Sequence, residues 1–139
     1  MPEQASLRIL IVEDDRTSRI VLRRLVEGAG GVEVREAEDG LKAWEMLEGG
    51  LLPDLCLVDI NMPRMDGLEL LKRIRGDARL AGLKVCFCSA VVDAQTMARA
   101  AASHPDDYIL KPYVRAVVEA QVRKARAARA AAPVPPSPP

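Results

Sequence analysis

The sequence predicts an α/β fold in which five parallel strands form one sheet, with helices on both faces. Short apolar runs alternate five times with segments whose apolar residues recur at helical spacing. This alternation is typical of strand–helix–strand crossovers in a parallel sheet. Three of the runs, at 7–12, 54–58 and 83–88, are almost continuously apolar. Strands that are buried on both faces require that pattern.

Two further strands complete the predicted sheet. The segment 32–37 alternates, with Val32 and Val34 against Glu33 and Arg35, which favours a half-exposed strand at an edge of the sheet. The segment 107–110 (DYIL) is the fifth strand.

Helical spacing and helix-end signals predict the first three helices. The first carries an apolar stripe that ends at Gly28, a helix stop signal. The second follows Asp39-Gly40, and the third opens at Asp66, with Glu69 at the spacing of a capping box. The residues predicted to face inward are Val21, Leu22, Leu25 and Val26 in the first helix, Ala43, Trp44 and Leu47 in the second, and Leu70, Leu71 and Ile74 in the third.

The last two helices differ in how much apolar surface they offer. The helix at 93–103 has mainly Met97 and alanines to bury, so we expect weak anchoring. The final helix, from about Tyr113, is predicted to place Val114, Val117, Val118 and Val122 on one face. The predicted organisation is an amino-terminal tail at 1–6, one domain at 7–126, and a flexible Ala/Pro-rich tail at 127–139.

Composition narrows the class of protein. The chain has 139 residues, enough for one domain with a real core, and its basic and acidic residues both total 20. Because the formal net charge is zero, no overall field attracts nucleic acid or an anionic membrane. No apolar run approaches the roughly 20 residues that cross a bilayer, and the first residues do not resemble a signal peptide. We therefore expect a cytoplasmic protein without direct nucleic-acid or membrane binding.

The cysteines and the single histidine favour structural or solvated roles. Cys56, Cys86 and Cys88 all lie in strongly apolar runs, where free cysteine behaves as a small hydrophobic residue. A zinc site would need further ligands nearby, and His104 lies apart in a polar loop.

Polar residues come at the ends of four predicted strands and point to one site. Glu13 and Asp14 end the first strand, Asp59 the third, Ser89 the fourth and Lys111 the fifth. Ligands of such sheets bind beyond the carboxyl ends of the strands. Three carboxylates gathered there repel one another unless a hard divalent cation intervenes, and Mg²⁺ prefers oxygen ligands and phosphate. The sequence therefore predicts a magnesium site that handles a phosphoryl group.

The same residues suggest a reaction. Asp59 is the candidate nucleophile, because a carboxylate can attack phosphorus and hold the group as an acyl phosphate. Lys111 and Ser89 would receive the phosphoryl oxygens and offset the charge that develops during transfer. An ionised carboxylate needs no general base, which agrees with the lack of a catalytic His or Cys partner.

At this point the chain resembles a response-regulator receiver domain of bacterial two-component systems, of the chemotaxis-regulator kind. The resemblance covers about residues 7–124. It is carried by four motifs in order: ILIVEDD, LVDINMPRMDGLELL, CSA and YILKPY. It implies the strand order 2-1-3-4-5 of the flavodoxin-like fold.

The resemblance also implies a role for each site residue. Asp59 would take the phosphoryl group from the phosphohistidine of a sensor kinase or phosphotransfer protein. Asp14 would bind Mg²⁺ directly, with Mn²⁺ as an alternative, Glu13 mainly through water, and Asn61 through its backbone carbonyl. The implied protein is a signalling receiver that catalyses its own aspartyl phosphorylation and dephosphorylation, rather than a metabolic enzyme.

Signal output is implied by the same family pattern. Ser89 resembles the switch residue that moves to the phosphate, Lys111 its ion-pair partner, and Tyr108 the aromatic that turns inward afterwards. Lys111-Pro112 is expected to be cis. We expect a downstream protein to bind the face formed by residues 93–126. Val91, two residues past Ser89, is expected to hinder water and lengthen the life of the phosphorylated form.

The sequence departs from the family pattern in two places. Glu13 stands where Asp is commoner, which changes reach but keeps charge. The segment 102–107 lacks the Gly-Ala turn that is usual before the fifth strand.

Two other functions remain open at this stage. A haloacid-dehalogenase-like phosphohydrolase also places Asp at a strand end, but its second acid is missing, since Ile60 and Asn61 follow Asp59. A docking module that is never phosphorylated is the third hypothesis, and the complete acid cluster argues against it.

Overall fold

The structure, a computed structural model, describes residues 6–90 and 94–131, and its strands form one parallel sheet in the order β2-β1-β3-β4-β5. The strands are β1 Leu7–Val12, β2 Val32–Ala37, β3 Leu55–Asp59, β4 Lys84–Ser89 and β5 Asp107–Leu110. The helices are α1 Arg16–Gly28, α2 Gly40–Glu48, α3 Gly67–Gly76, α4 Ala94–Ala102 and α5 Arg115–Ala131. The predicted fold class and the strand order implied by the resemblance are confirmed. Val91 and most of the predicted amino-terminal tail lie outside the described residues.

A hydrophobic core lies on each face of the sheet. In β1, Leu10 and Val12 point into the core that α2, α3 and α4 cover, while Ile9 and Ile11 point into the core that α1 and α5 cover. Successive side chains of a strand point to opposite faces, so a strand with a core on both sides must be apolar throughout. This arrangement explains the continuous apolar runs.

The strand ends differ slightly from the prediction. β3 and β4 each begin and end one residue later than the apolar runs at 54–58 and 83–88. Asp59 and Ser89 are therefore the last residues of their strands and take part in the sheet. β2 lies at an edge and is only partly buried, as its alternating sequence predicts.

Aspartates begin the first three helices. The carboxylates of Asp15, Asp39 and Asp66 each accept a hydrogen bond from the backbone N–H three residues later, at 2.8, 2.8 and 2.9 Å. Such caps satisfy N–H groups that have no partner within the helix. The predicted cap at Asp66 is confirmed, whereas the Glu69 carboxylate accepts instead from Nε of Arg73, at 3.4 Å. The caps fix the start of each helix beside the strand ends.

Several residues that were predicted to face inward are exposed. Val21 in α1 is 42% exposed, and Val114 before α5 and Val117 within it are exposed too. In α4 the predicted Met97 is exposed, and Ala100 is the buried residue. α1, α4 and α5 bury fewer of the predicted residues than spacing alone indicated, whereas α3 buries Leu70, Leu71 and Ile74 as predicted.

The carboxyl-terminal boundary was predicted too early. The chain is helical to Ala131, so residues 127–131 belong to α5 and not to a flexible tail. Alanine has the highest helix propensity, and Arg129 anchors this last turn through its Nη1, which lies 3.0 Å from the Ser6 carbonyl and 3.3 Å from Oδ2 of Asp54. The remaining tail, 132–139, lies outside the described residues.

The cysteines and the histidine occupy the predicted environments. Cys56, Cys86 and Cys88 are buried and free, and burial raises the pKa of the Cys56 thiol to about 12. His104 is exposed and adopts a left-handed backbone conformation, with φ of 55°. That residue makes the turn before β5 for which the sequence offers no glycine.

Candidate functional site

Three carboxylates meet at the carboxyl edge of the sheet. β1 and β3 are neighbours with Val12 beside Val58, so the residues that follow, Glu13 and Asp59, come side by side. One carboxylate oxygen from each of Glu13, Asp14 and Asp59 can be chosen so that all lie within 4.8 Å of one another. Glu13 is 1% exposed and Asp59 7%, whereas Asp14 is open to solvent. The predicted acid cluster is therefore present.

Lys111 supplies the positive charge of this cluster. Its Nζ lies 3.0 and 2.9 Å from Oε1 and Oε2 of Glu13, and 3.3 Å from Oδ2 of Asp59. The backbone N–H of Lys111 donates to the Ser89 carbonyl at 2.7 Å, which ties it to the end of β4. The Lys111–Pro112 peptide bond is cis, as expected from the resemblance.

The pKa values of Glu13 and Lys111 are both raised above their ordinary values. Burial raises the pKa of Glu13 from its ordinary value to about 7, with Lys111 opposing this shift and the charge of Asp59 adding to it. Burial acts to lower the pKa of Lys111, but the bonds to Glu13 and Asp59 outweigh it and the pKa is raised. Lys111 is therefore a fixed cation, while Glu13 holds its negative charge with difficulty when no other cation is near.

The loop after β3 is held against the site by two glycines. Gly67 donates its N–H to the Ile60 carbonyl at 2.8 Å, and a Cβ at this position would overlap the carbonyl oxygen of Asp59. Gly40 donates to the Met65 carbonyl at 3.1 Å with equally little space. Only glycine permits such close backbone approach, so the turn within the LVDINMPRMDGLELL motif depends on both.

The other predicted site residues lie around this cluster. The backbone N–H of Asn61 is 3.4 Å from Oδ1 of Asp59, and Ser89 is buried at the end of β4. The hydroxyl of Tyr108 is buried with no hydrogen-bond partner among the described residues, and its ring centroid lies 6.2 Å from that of Phe87. The metal contact of Asn61 and the movements of Ser89 and Tyr108 stay predictions.

Two residues at the site were missed by the sequence analysis. The hydroxyl of Tyr113 donates to Oε2 of Glu13 at 3.2 Å, and burial raises the pKa of this phenol. Arg19 donates from Nη1 to the Glu13 carbonyl at 2.8 Å and pairs with Glu36 at 3.4 Å. The signal for Tyr113 was its place directly after Lys111-Pro112. Nothing in the sequence marked Arg19 as a site residue, because charged residues on a helix are usually solvated.

The donor set of the cluster fits a hard divalent cation. All three side chains offer carboxylate oxygens, which are the ligands that Mg²⁺ prefers, and the exposed Asp14 leaves room for the water molecules that Mg²⁺ retains. No nitrogen or sulfur ligand belongs to the cluster, so a softer metal such as zinc fits less well.

Comparison with known proteins decides the family. A family model described as the response regulator receiver domain matches residues 9–123. The chain belongs to the response-regulator receiver family. The chemotaxis protein CheY-3 of Vibrio cholerae is 36% identical over 119 residues, which are 86% of this chain and 91% of that protein. The chemotaxis protein CheY of Pseudomonas aeruginosa is 34% identical over 118 residues, which are 85% and 94%.

Solved structures agree with the assignment. The signal receiver domain of a signal transduction histidine kinase from Syntrophus aciditrophicus superposes with a TM-score of 0.84 at 26% identity, covering 95% of this chain and 99% of that one. The receiver is thus a signalling module of the two-component type, and membership of the family supports a phosphoacceptor role. Among the described residues, no helix has the length and apolar character that a membrane span needs.

Proposed function

We propose that this receiver accepts a phosphoryl group on Asp59 in a reaction that depends on Mg²⁺, or on Mn²⁺ in its place. The donor is the phosphohistidine of a sensor histidine kinase or of a histidine phosphotransfer protein in the cytoplasm. The supporting observation is the position of Asp59, almost buried among Glu13 and Asp14 with Nζ of Lys111 at 3.3 Å. Such a carboxylate is largely desolvated and held in place for attack on phosphorus.

Each protein group has a distinct part in the proposed transfer. The Asp59 carboxylate forms the new bond to phosphorus, and the bond from phosphorus to the histidine nitrogen of the donor breaks. Lys111 stabilises the negative charge on the transferred oxygens, and Ser89 donates its hydroxyl to one of them. A bound Mg²⁺ would supply further positive charge and would be held by Asp14, Asp59 and the Asn61 carbonyl, with Glu13 acting mainly through water.

The proposed output face is formed by residues 94–126 of the described chain. In this region α4 buries only Ala100 among its described side chains, and four large apolar residues are exposed. They are Met97, Leu110, Val114 and Val117. An exposed apolar set beside a thinly anchored helix suits a downstream protein that binds when the site changes charge. Tyr108→Ala is expected to weaken this binding while leaving phosphoryl uptake intact, and unchanged affinity contradicts the proposal.

The function is tested by labelling with acetyl phosphate. Wild-type protein with Mg²⁺ should take up one phosphoryl group per chain and migrate more slowly on a phosphate-affinity gel. The migration of Asp59→Asn should not change. Asp77→Asn, which changes a carboxylate at the opposite end of α3, is the matched control and should be labelled normally. Labelling of Asp59→Asn contradicts the proposal, and so does labelling of wild type without a divalent metal.

The same experiment separates the receiver from a phosphohydrolase. Steady release of phosphate from an ester would favour a hydrolase, and stoichiometric labelling favours the receiver. A transfer screen with purified kinases and phosphotransfer proteins then identifies the donor.

A further inference from the structure

Three protein groups contact the buried carboxylate of Glu13. Oε1 accepts from Nζ of Lys111 at 3.0 Å and from the backbone N–H of Asp15 at 3.3 Å. Oε2 lies 2.9 Å from the same Nζ and accepts from the hydroxyl of Tyr113 at 3.2 Å. Lys111 is thus shared between both oxygens of Glu13, and Tyr113 contacts one of them.

The proposed transfer would weaken the contact between this carboxylate and its main partner, Lys111. Nζ of Lys111 lies 2.9 Å from Glu13 and 3.3 Å from Asp59, so contact with a phosphoryl group on Asp59 would draw it toward Asp59 and lengthen its contacts with Glu13. A carboxylate that is 1% exposed is strongly destabilised when its cation leaves without replacement. A bound Mg²⁺ would act on Glu13 mainly through water, so a direct protein partner must keep the carboxylate in place at that moment.

We propose that Tyr113 is the positioning residue that holds Glu13 when Lys111 turns to the phosphoryl group. The Tyr113 hydroxyl is a neutral donor to Oε2 of Glu13, and movement of Lys111 toward Asp59 would leave this hydrogen bond in place. The ring of Tyr113 packs against the core under α1 and α5, which fixes the direction of the hydroxyl. This role rests on the proposed function, since it concerns the state in which Asp59 carries phosphorus.

The hydrogen bond between Tyr113 and Glu13 depends on the length of the Glu13 side chain. Glu13→Asp withdraws the carboxylate by one methylene, about 1.5 Å. A contact that is now 3.2 Å would then exceed hydrogen-bond distance. The hydroxyl of Tyr113 should therefore matter in the presence of Glu13 and lose its effect in the shorter variant.

A double-mutant cycle tests this coupling. The rate of phosphorylation by acetyl phosphate at saturating Mg²⁺ is measured for wild type, Tyr113→Phe, Glu13→Asp and the double variant. Tyr113→Phe keeps the ring and should fold normally, which thermal unfolding checks. We expect it to slow phosphorylation about ten-fold, the effect of losing a hydrogen bond to a charged group. In the Glu13→Asp background the same change should alter the rate less than two-fold.

Affinity for Mg²⁺ alone, measured by calorimetry, separates positioning from a general structural role. Tyr113→Phe should leave this affinity within about two-fold of wild type, because Lys111 still holds Glu13 before transfer. The inference is overturned if Tyr113→Phe slows phosphorylation equally with and without the Glu13→Asp substitution. It is also overturned if Tyr113→Phe lowers the Mg²⁺ affinity as much as the rate, or if it leaves the rate unchanged. If wild type itself is not labelled, the proposed function fails instead, so the two failures are distinct.

Discussion

The ammonium group of Lys111 lies 2.9 Å from Oε2 of Glu13, although 98 positions separate the two residues in the chain. The pair closes the acid cluster and neutralises part of its charge before any metal binds. The cation to which we assign a part in phosphoryl transfer therefore already stabilises the protein before transfer.

Replacement of Lys111 should cost stability that Mg²⁺ restores. Lys111→Ala leaves the buried Glu13 without its cation, and we expect a loss of about 2 kcal/mol in the free energy of unfolding, allowing for the partial exposure of Lys111. Mg²⁺ should then stabilise the variant more than wild type, because ligand binding to the folded state adds stability. Urea unfolding with and without Mg²⁺ measures both effects, and the exposed Lys72→Ala is the control. Equal responses to Mg²⁺ would contradict the expectation.

Gly67 and Gly76 are the first and last residues of α3, and replacing each with alanine should affect stability differently. Gly67→Ala places a methyl group against the Asp59 carbonyl, so we expect a loss of about 2 kcal/mol or more and impaired phosphorylation. Gly76→Ala meets no atom within 4 Å and should be neutral or slightly stabilising, because alanine favours the helix. Thermal unfolding and the labelling assay compare them. Similar losses in both variants would disprove the steric explanation.

The carboxylate of Asp107 should make stability depend on acid pH. Hydrogen bonds from Gln121 and Lys124 hold its pKa at about 2, below the ordinary value of 3.8. The folded state therefore binds fewer protons than the unfolded state in that interval, so this contribution is present above about pH 4 and is lost as the pH falls through 2. Asp107→Asn should lower the thermal midpoint by a few degrees at pH 7.

Thermal scans of wild type and Asp107→Asn from pH 7 to pH 2 test this linkage. The difference in midpoint should shrink below pH 4. A difference that stays constant to pH 2 would mean that the effect of the substitution is steric.

The hydroxyl of Tyr108 should not stabilise the resting fold. It is buried without a hydrogen-bond partner among the described residues, and such a group carries an unrecovered desolvation cost. Tyr108→Phe should leave the free energy of unfolding unchanged or raise it by up to about 1 kcal/mol, as urea unfolding measures. A loss above about 1 kcal/mol would show that the hydroxyl has a partner that stabilises the fold.

Much of the candidate site was predictable because its residues stand at the ends of apolar runs. Glu13, Asp14, Asp59 and Lys111 each follow or end a strand, and parallel strands bring their carboxyl ends to one edge. The exposed side of the final helix was not predictable in this way. Val114 and Val117 read as core residues by spacing, but the sheet contacts Val118 and Val122 instead.

The sequence by itself determined which residues form strands, which acids lie at their ends and which helices begin at an aspartate. These properties depend on neighbours in the chain, through side-chain periodicity and local capping. Only the tertiary structure decided that Tyr113 contacts Glu13, that Arg19 donates to the Glu13 carbonyl, and that Lys111 lies closer to Glu13 than to Asp59. Those contacts depend on how the strands and helices pack in three dimensions, which the spacing of residues along the chain does not encode.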